Sequence, residues 1–132
     1  MKKRRPSVGE IRARKAVNLL IENIYDIRNV NEWAYEAGVS RRWLCKSLKA
    51  MYGKPPKIIL REIKYEKVVR LIHKDGIEAS CYSVAIDAGF SESKNVSRLL
   101  ASFYDTTFTE LKINLLEGNH DDNFMWLNGS RT

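Results

Sequence analysis

The sequence holds little that would tie the chain to a membrane, a metal or an oxidising compartment. No apolar run is long enough to span a bilayer. The charged start, Met1-Lys2-Lys3-Arg4-Arg5-Pro6, is followed by no apolar segment of the kind a secretory signal needs. The two cysteines, Cys45 and Cys81, lie far apart and make no metal-ligand spacing. That pattern suits a reducing cytoplasm and excludes a disulfide scaffold. The two histidines, His73 and His120, are equally isolated, and His73 reads as a favourable residue near a helix C-terminus. No glycine-rich phosphate loop, catalytic triad or paired-carboxylate cluster occurs. Neither an enzymatic activity nor a cofactor is therefore expected.

What is present is positive charge. The 132 residues include 23 Lys and Arg against 16 Asp and Glu, a formal +7, and 44% are hydrophobic, enough for the core of one small domain. Residues 105–132 carry −3, so residues 1–104 carry +10. Residues 40–57 contain Arg41, Arg42, Lys46, Lys49, Lys54 and Lys57 and no acid, whereas in residues 80–104 Lys94 and Arg98 are balanced by Asp87 and Glu92. A field of this kind suits a polyanionic partner. A run of charge taken alone is equally well explained as a solvated helix face, so the decision falls to the pattern around it.

That pattern is helical almost throughout. Only three prolines occur, and no segment alternates apolar and polar residues for long. Ser7 and Glu10 form a capping box ahead of Ala13, Ala16, Val17, Leu20, Ile21 and Ile24 at helical spacing. Asn29 and Glu32 cap a short helix ended by Gly38. Ser40 caps the next, through about Tyr52, with Leu44, Leu48 and Met51 inward. Pro55-Pro56 opens a helix to about Lys74, and Asp75-Gly76 is a turn signal. Ser80 caps a helix ended by Gly89. Ser91 caps another with Val96, Leu100 and Phe103 inward, and Thr107 with Glu110 caps a last one carrying Phe108, Leu111 and Leu115. Beyond Glu117 the chain is rich in Gly, Asn and Asp and is expected to fray. Phe124-Met125-Trp126-Leu127 is the one group there able to dock back, at a place the pattern does not specify.

The chain also repeats itself. Trp33-Ala34-Tyr35-Glu36-Ala37-Gly38-Val39-Ser40 aligns with Val84-Ala85-Ile86-Asp87-Ala88-Gly89-Phe90-Ser91 at an offset of 51 residues. A short helix, a glycine turn and a capped second helix is the helix-turn-helix pattern. Ala34 and Ala85 let the helices approach, and Gly38 and Gly89 supply a turn that a Cβ would oppose. A helix of some twenty residues between the copies spans roughly 30 Å. Successive major-groove segments on one face of B-DNA are about 34 Å apart, so one chain can present two recognition helices to adjacent grooves without a dimer.

From Val8 to Leu115 these features resemble the AraC/XylS family of bacterial transcription regulators. The resemblance is carried by Trp33-Ala34, Gly38-Val39-Ser40, Leu44, Gly53 and the spacer, then Val84-Ala85, Gly89-Phe90-Ser91 and Ser97-Arg98. It implies an all-α fold of about seven helices, two helix-turn-helix subdomains joined by a long helix. The expected divisions are a basic tail 1–6, a first subdomain 7–54, a spacer 55–75, a second subdomain 76–117 and a flexible acidic tail 118–132. Departures concern mainly the second half: Lys64 stands for the family's Arg, Val68 for Ala, Val96 and Leu100 for Phe, and Asp105 and Phe108 for a Gly and a Pro.

The family's base-reading positions map onto Arg42, Cys45 and Lys46, and onto Ser93, Lys94, Ser97 and Arg98. The i, i+3, i+4 spacing of Arg42, Cys45 and Lys46 opposite Leu44 and Leu48 agrees. Arg and Lys suit guanine edges, while Ser and Cys are short and discriminate little. Ser40, Arg41, Lys49, Lys54, Lys57 and Ser91 are the candidates for phosphate contact. Trp43 either packs at the helix edge or lies against a sugar. Lys2-Lys3-Arg4-Arg5 is either a DNA arm or a disordered tail.

The expected partner is double-stranded DNA, with RNA polymerase as the protein partner that the resemblance implies. The expected location is the cytoplasm, on the nucleoid. No membrane contact is expected. The length leaves no room for a separate ligand-sensing domain, so no small-molecule ligand is expected within this chain. It reads as a short sensor-less regulator, or as the output domain of a longer chain. The alternative function is a degenerate helix-turn-helix module that binds a protein and no longer reads bases.

Overall fold

The computed structural model describes Arg5, residues 7–118 and residues 124–127. Lys2, Lys3 and Arg4 of the expected arm, and His120, Asp121, Asp122 and Arg131 of the tail, lie outside them. Seven α-helices and no strand occur among the described residues. They are α1 (Val8–Glu22), α2 (Val30–Ala37), α3 (Arg41–Tyr52), α4 (Pro56–Asp75), α5 (Cys81–Asp87), α6 (Ser93–Tyr104) and α7 (Phe108–Leu116), with a single 3-10 turn, Gly76–Glu78, after α4. No helix among the described residues is long and apolar enough to cross a membrane. No group of three or more His, Cys, Asp or Glu among them can hold a metal.

Local chemistry sets most helix starts. The Ser7 hydroxyl accepts the Glu10 N–H at 3.1 Å, and the Glu10 carboxylate accepts the Ser7 N–H at 2.8 Å. Asn29, Ser40, Ser80 and Thr107 each accept a backbone N–H at the start of their helices. Gly38 and Gly53 close α2 and α3 in the left-handed conformation. Asp105 closes α6 with φ +51°. It is the only non-glycine with positive φ among the described residues. Ser91 is not the cap of α6. The helix begins one residue later, Glu92 holds the N-cap position without a side-chain bond, and the Ser91 hydroxyl instead accepts from Asn95 at 3.2 Å.

Two hydrophobic cores share the spacer helix. Ile59, Leu60 and Ile63 of α4 join the core built by α1, α2 and α3. Val68, Val69, Leu71 and Ile72 join the core built by α5, α6 and α7. Trp33 is fully buried in the first core, and its indole N–H donates to the Ala16 carbonyl at 2.9 Å. Phe103 is a correction: it is half-exposed rather than inward, with the Arg61 guanidinium stacked 3.8 Å from its ring centroid.

Residues 124–127, the group able to dock back, lie against the helices. Trp126 and Leu127 are buried in the first core, and Phe124 packs against both cores. The buried Glu66 carboxylate accepts the backbone N–H groups of Met125, Trp126 and Leu127 at 2.8, 2.9 and 2.9 Å. Glu62 accepts the Trp126 indole N–H at 3.0 Å, and Arg70 donates to the Leu127 carbonyl at 3.3 Å. Glu62, Glu66 and Arg70 are successive i+4 positions, so they form one stripe along α4 and the segment lies along it.

The second helix-turn-helix turn is seated on the first subdomain. A Cβ on Gly89 would sit 2.1 Å from the Ile24 carbonyl and 3.0 Å from the Tyr25 Cα, whereas one on Gly38 would meet nothing. The buried Lys64 ammonium donates to the Ala88 and Gly89 carbonyls at 3.2 and 2.9 Å. Two glycines equivalent in the repeat thus have different tasks: both turn the chain, but only Gly89 admits a close contact between subdomains.

Candidate nucleic-acid interface

The helix expected to be the first recognition helix is α3. Leu44 and Leu48 are fully buried, Arg42 and Lys46 are exposed, and Cys45 is half-buried between them. Trp43 packs against the first core and carries the Arg12 guanidinium 4.8 Å from its ring centroid, which takes it away from the exposed face. The Arg41 guanidinium donates to Asn31 at 3.1 Å, tying α3 to α2. The Ser40 hydroxyl accepts the Trp43 N–H at 3.0 Å, and Lys49 is exposed in the last turn.

The helix expected to be the second recognition helix, α6, is electrically quieter. Val96, Leu99 and Leu100 face inward, and Lys94, Ser97 and Arg98 face outward. Lys94 lies 3.5 Å from the Glu92 carboxylate, a pair more than half exposed on both sides and worth at most about 1 kcal/mol. Ser93 is half-buried, and its carbonyl accepts the Cys81 thiol at 3.5 Å; the same thiol lies 4.0 Å from the Ser97 hydroxyl. Cys81 is thus half-buried against α6 rather than part of the core.

Lys54, expected among the phosphate contacts, is engaged within the chain. Its ammonium lies 2.9 and 3.0 Å from the two Glu62 carboxylate oxygens and 5.9 Å from the Trp126 ring centroid. It therefore belongs to the docked 124–127 segment. Lys57 and Glu66 are nine positions apart on α4, a rotation of about 180° at 3.6 residues per turn. Lys57 is exposed on the side of α4 away from that segment.

Sequence reasoning missed the companions of Lys57. Lys57, Arg61 and Lys64 occupy i, i+4 and i+7 of α4. With Arg28, Phe90 and Arg98 they line a cleft of about 300 Å³ between α4 and α6. The i, i+4, i+7 stripe was a readable signal; nothing local pointed to Arg28. Burial pushes the Lys64 ammonium down to about 8, opposed by the nearby Glu32 and reinforced by Arg28.

No family model matches the sequence, and no curated protein matches it either. Solved structures do. One is a transcriptional regulator of Chromobacterium violaceum with an AraC-type DNA-binding domain: TM-score 0.66, 24% identity, covering 80% of this chain and 92% of that one. Another is a DNA-binding transcriptional dual regulator of Escherichia coli K-12: TM-score 0.65, 18% identity, covering 89% of this chain and 99% of that one. The chain has the AraC-type DNA-binding fold. The two copies of the sequence repeat fall on α2–α3 and α5–α6, with α4 between them.

Proposed function

We infer that the chain is a sequence-specific, double-stranded-DNA-binding transcription regulator of the AraC type that lays α3 and α6 into adjacent major grooves. The observation that supports this most is the presence of two outward recognition-helix faces, Arg42–Cys45–Lys46 and Lys94–Ser97–Arg98, joined by one twenty-residue helix. The same fold occurs in proteins described as DNA-binding regulators. In this reading Arg42, Lys46 and Arg98 supply most base discrimination, each good bidentate contact being worth about 1–3 kcal/mol. Cys45, Ser93, Lys94 and Ser97 complete the two reading faces. Ser40, Arg41, Lys49, Lys54, Lys57 and Ser91 position the duplex through its phosphates. RNA polymerase is the protein partner proposed with it, activation the proposed outcome, and the nucleoid the proposed place of action.

The test is duplex titration at several salt concentrations. Log K falls with log[salt] by about 0.9 for each phosphate neutralised. Absence of duplex binding at low salt would favour the second reading, a protein-interaction module. That reading draws on the Glu92–Lys94 pairing, which leaves α6 with little free charge.

A further inference from the structure

The cleft between α4 and α6 has a composition that phosphate contact alone does not account for. Five cations line it, Arg28, Lys57, Arg61, Lys64 and Arg98, and no acid does. Beneath them lie Leu60, Phe90 and Leu99, with Phe103 at the edge. Cations sit over rings here: Arg61 over Phe103 at 3.8 Å, and Lys64 over Phe90 at 5.1 Å. The Arg61 Nε is buried with no hydrogen-bond partner. Gripping a hydrated phosphate requires the cations; it does not require the apolar floor. A volume of about 300 Å³ is at the small end for organic ligands.

We propose that this cleft binds a small organic monoanion, a carboxylate carried on an aromatic or short alkyl body, and that the bound anion competes with duplex DNA. The carboxylate meets the cationic rim, and the body covers Leu60, Leu99 and Phe90. Competition follows because Arg98 and Lys57 line the cleft and are also assigned to DNA. That half of the proposal rests on the DNA-binding reading; the binding half does not. The expectation of no small-molecule ligand came from the lack of room for a separate sensing domain. A cleft between the two subdomains needs none.

The full chain is titrated with 4-phenylbutyrate, with 4-phenyl-1-butanol and with inorganic phosphate at constant ionic strength, and amide resonances are followed by NMR. The expected result is saturable shifts for 4-phenylbutyrate at the amides of α4 and α6 around the cleft, with the alcohol and phosphate at least tenfold weaker. Ser102→Glu places a carboxylate at an exposed rim position and Phe103→Ala removes a half-exposed ring. Both are expected to weaken 4-phenylbutyrate at least tenfold with unchanged helix content. Shifts that map elsewhere, equal affinity for the alcohol or phosphate, or undiminished binding by both variants overturns the proposal. In the second arm, saturating 4-phenylbutyrate raises the Kd for a labelled duplex at least fivefold. Cleft shifts with an unchanged duplex Kd overturn the competition and leave the DNA reading intact. If the chain binds no duplex, the NMR arm still decides the ligand site.

Discussion

The Glu66 carboxylate accepts the backbone N–H of Trp126 at 2.9 Å across sixty positions of sequence. The same carboxylate accepts the neighbouring N–H groups of Met125 and Leu127, so one buried charge orders three peptide groups. A hydrogen bond to a charged group contributes about 1.5–3 kcal/mol, and bonds to one shared carboxylate do not add fully. Glu66→Ala is expected to lower unfolding stability by about 2–4 kcal/mol. The Trp126 indole resonance should move to its solvent-exposed position. Urea unfolding and NMR check both. A change below 0.5 kcal/mol (roughly the scatter of neutral surface substitutions) would show that the segment adds nothing to the fold.

Gly38 and Gly89 separate turn strain from crowding. Both have positive φ, +70° and +84°, so an alanine at either carries a left-handed cost of about 1–2 kcal/mol. Only at Gly89 does the new methyl collide with backbone, that of Ile24 and Tyr25. Gly89→Ala is expected to cost about 1–3 kcal/mol more than Gly38→Ala, the usual range for overpacking. Thermal unfolding of the two variants side by side gives the difference. Equal losses would mean that the subdomains yield freely at this contact.

Much of this fold was legible because its determinants are local. Caps at Ser7, Asn29, Ser40, Ser80 and Thr107 and stops at Gly38 and Gly53 involve groups within a few residues of one another. The outward faces of α3 and α6 were legible for the same reason, being helix periodicity around Leu44 and Val96. What was not legible depends on distant partners. Nothing near Glu62 and Glu66 in sequence signals that they bond Trp126 and Leu127, some sixty positions on. Lys54 read as one more surface cation until Glu62, eight positions on, draws it away. Phe103 keeps the spacing of an inward residue, yet it lies beneath Arg61 at the cleft edge.

Buried Lys64 makes stability depend on pH above neutrality. Its folded value, about 8, lies below the ordinary 10.5, and burial lowers Lys67 as well. The unfolded chain therefore binds more protons between those values, and stability rises as pH increases from about 8. Tyr104 acts oppositely: burial, with Glu62 adding, pushes its phenol up to about 12, so stability falls above about pH 10. Denaturation midpoints are expected to rise from about pH 8 to a peak near pH 10, with a smaller rise in Lys64→Met. A peak of the same height in that variant would contradict the assignment to Lys64.

Side chains on one basic run should separate in their effect on DNA. Arg42→Ala with Lys46→Ala is expected to abolish preference for a selected site, with the fold intact. Arg98→Ala should weaken binding less, because the charge is concentrated on α3. Lys54→Ala should leave site preference unchanged and lower stability by up to about 1 kcal/mol, since its partner is the half-exposed Glu62. Fluorescence anisotropy with selected and scrambled duplexes, alongside urea unfolding, checks all three. Loss of preference on removing Lys54 would mean that it reads a base rather than a phosphate.

Selection of bound sites from a random duplex library tests the central claim most directly. Two recognition helices on one spacer predict enriched sequences with two half-sites whose centres lie about 10–10.5 base pairs apart. Enrichment of a single half-site, or of none, would contradict two-groove reading by this chain.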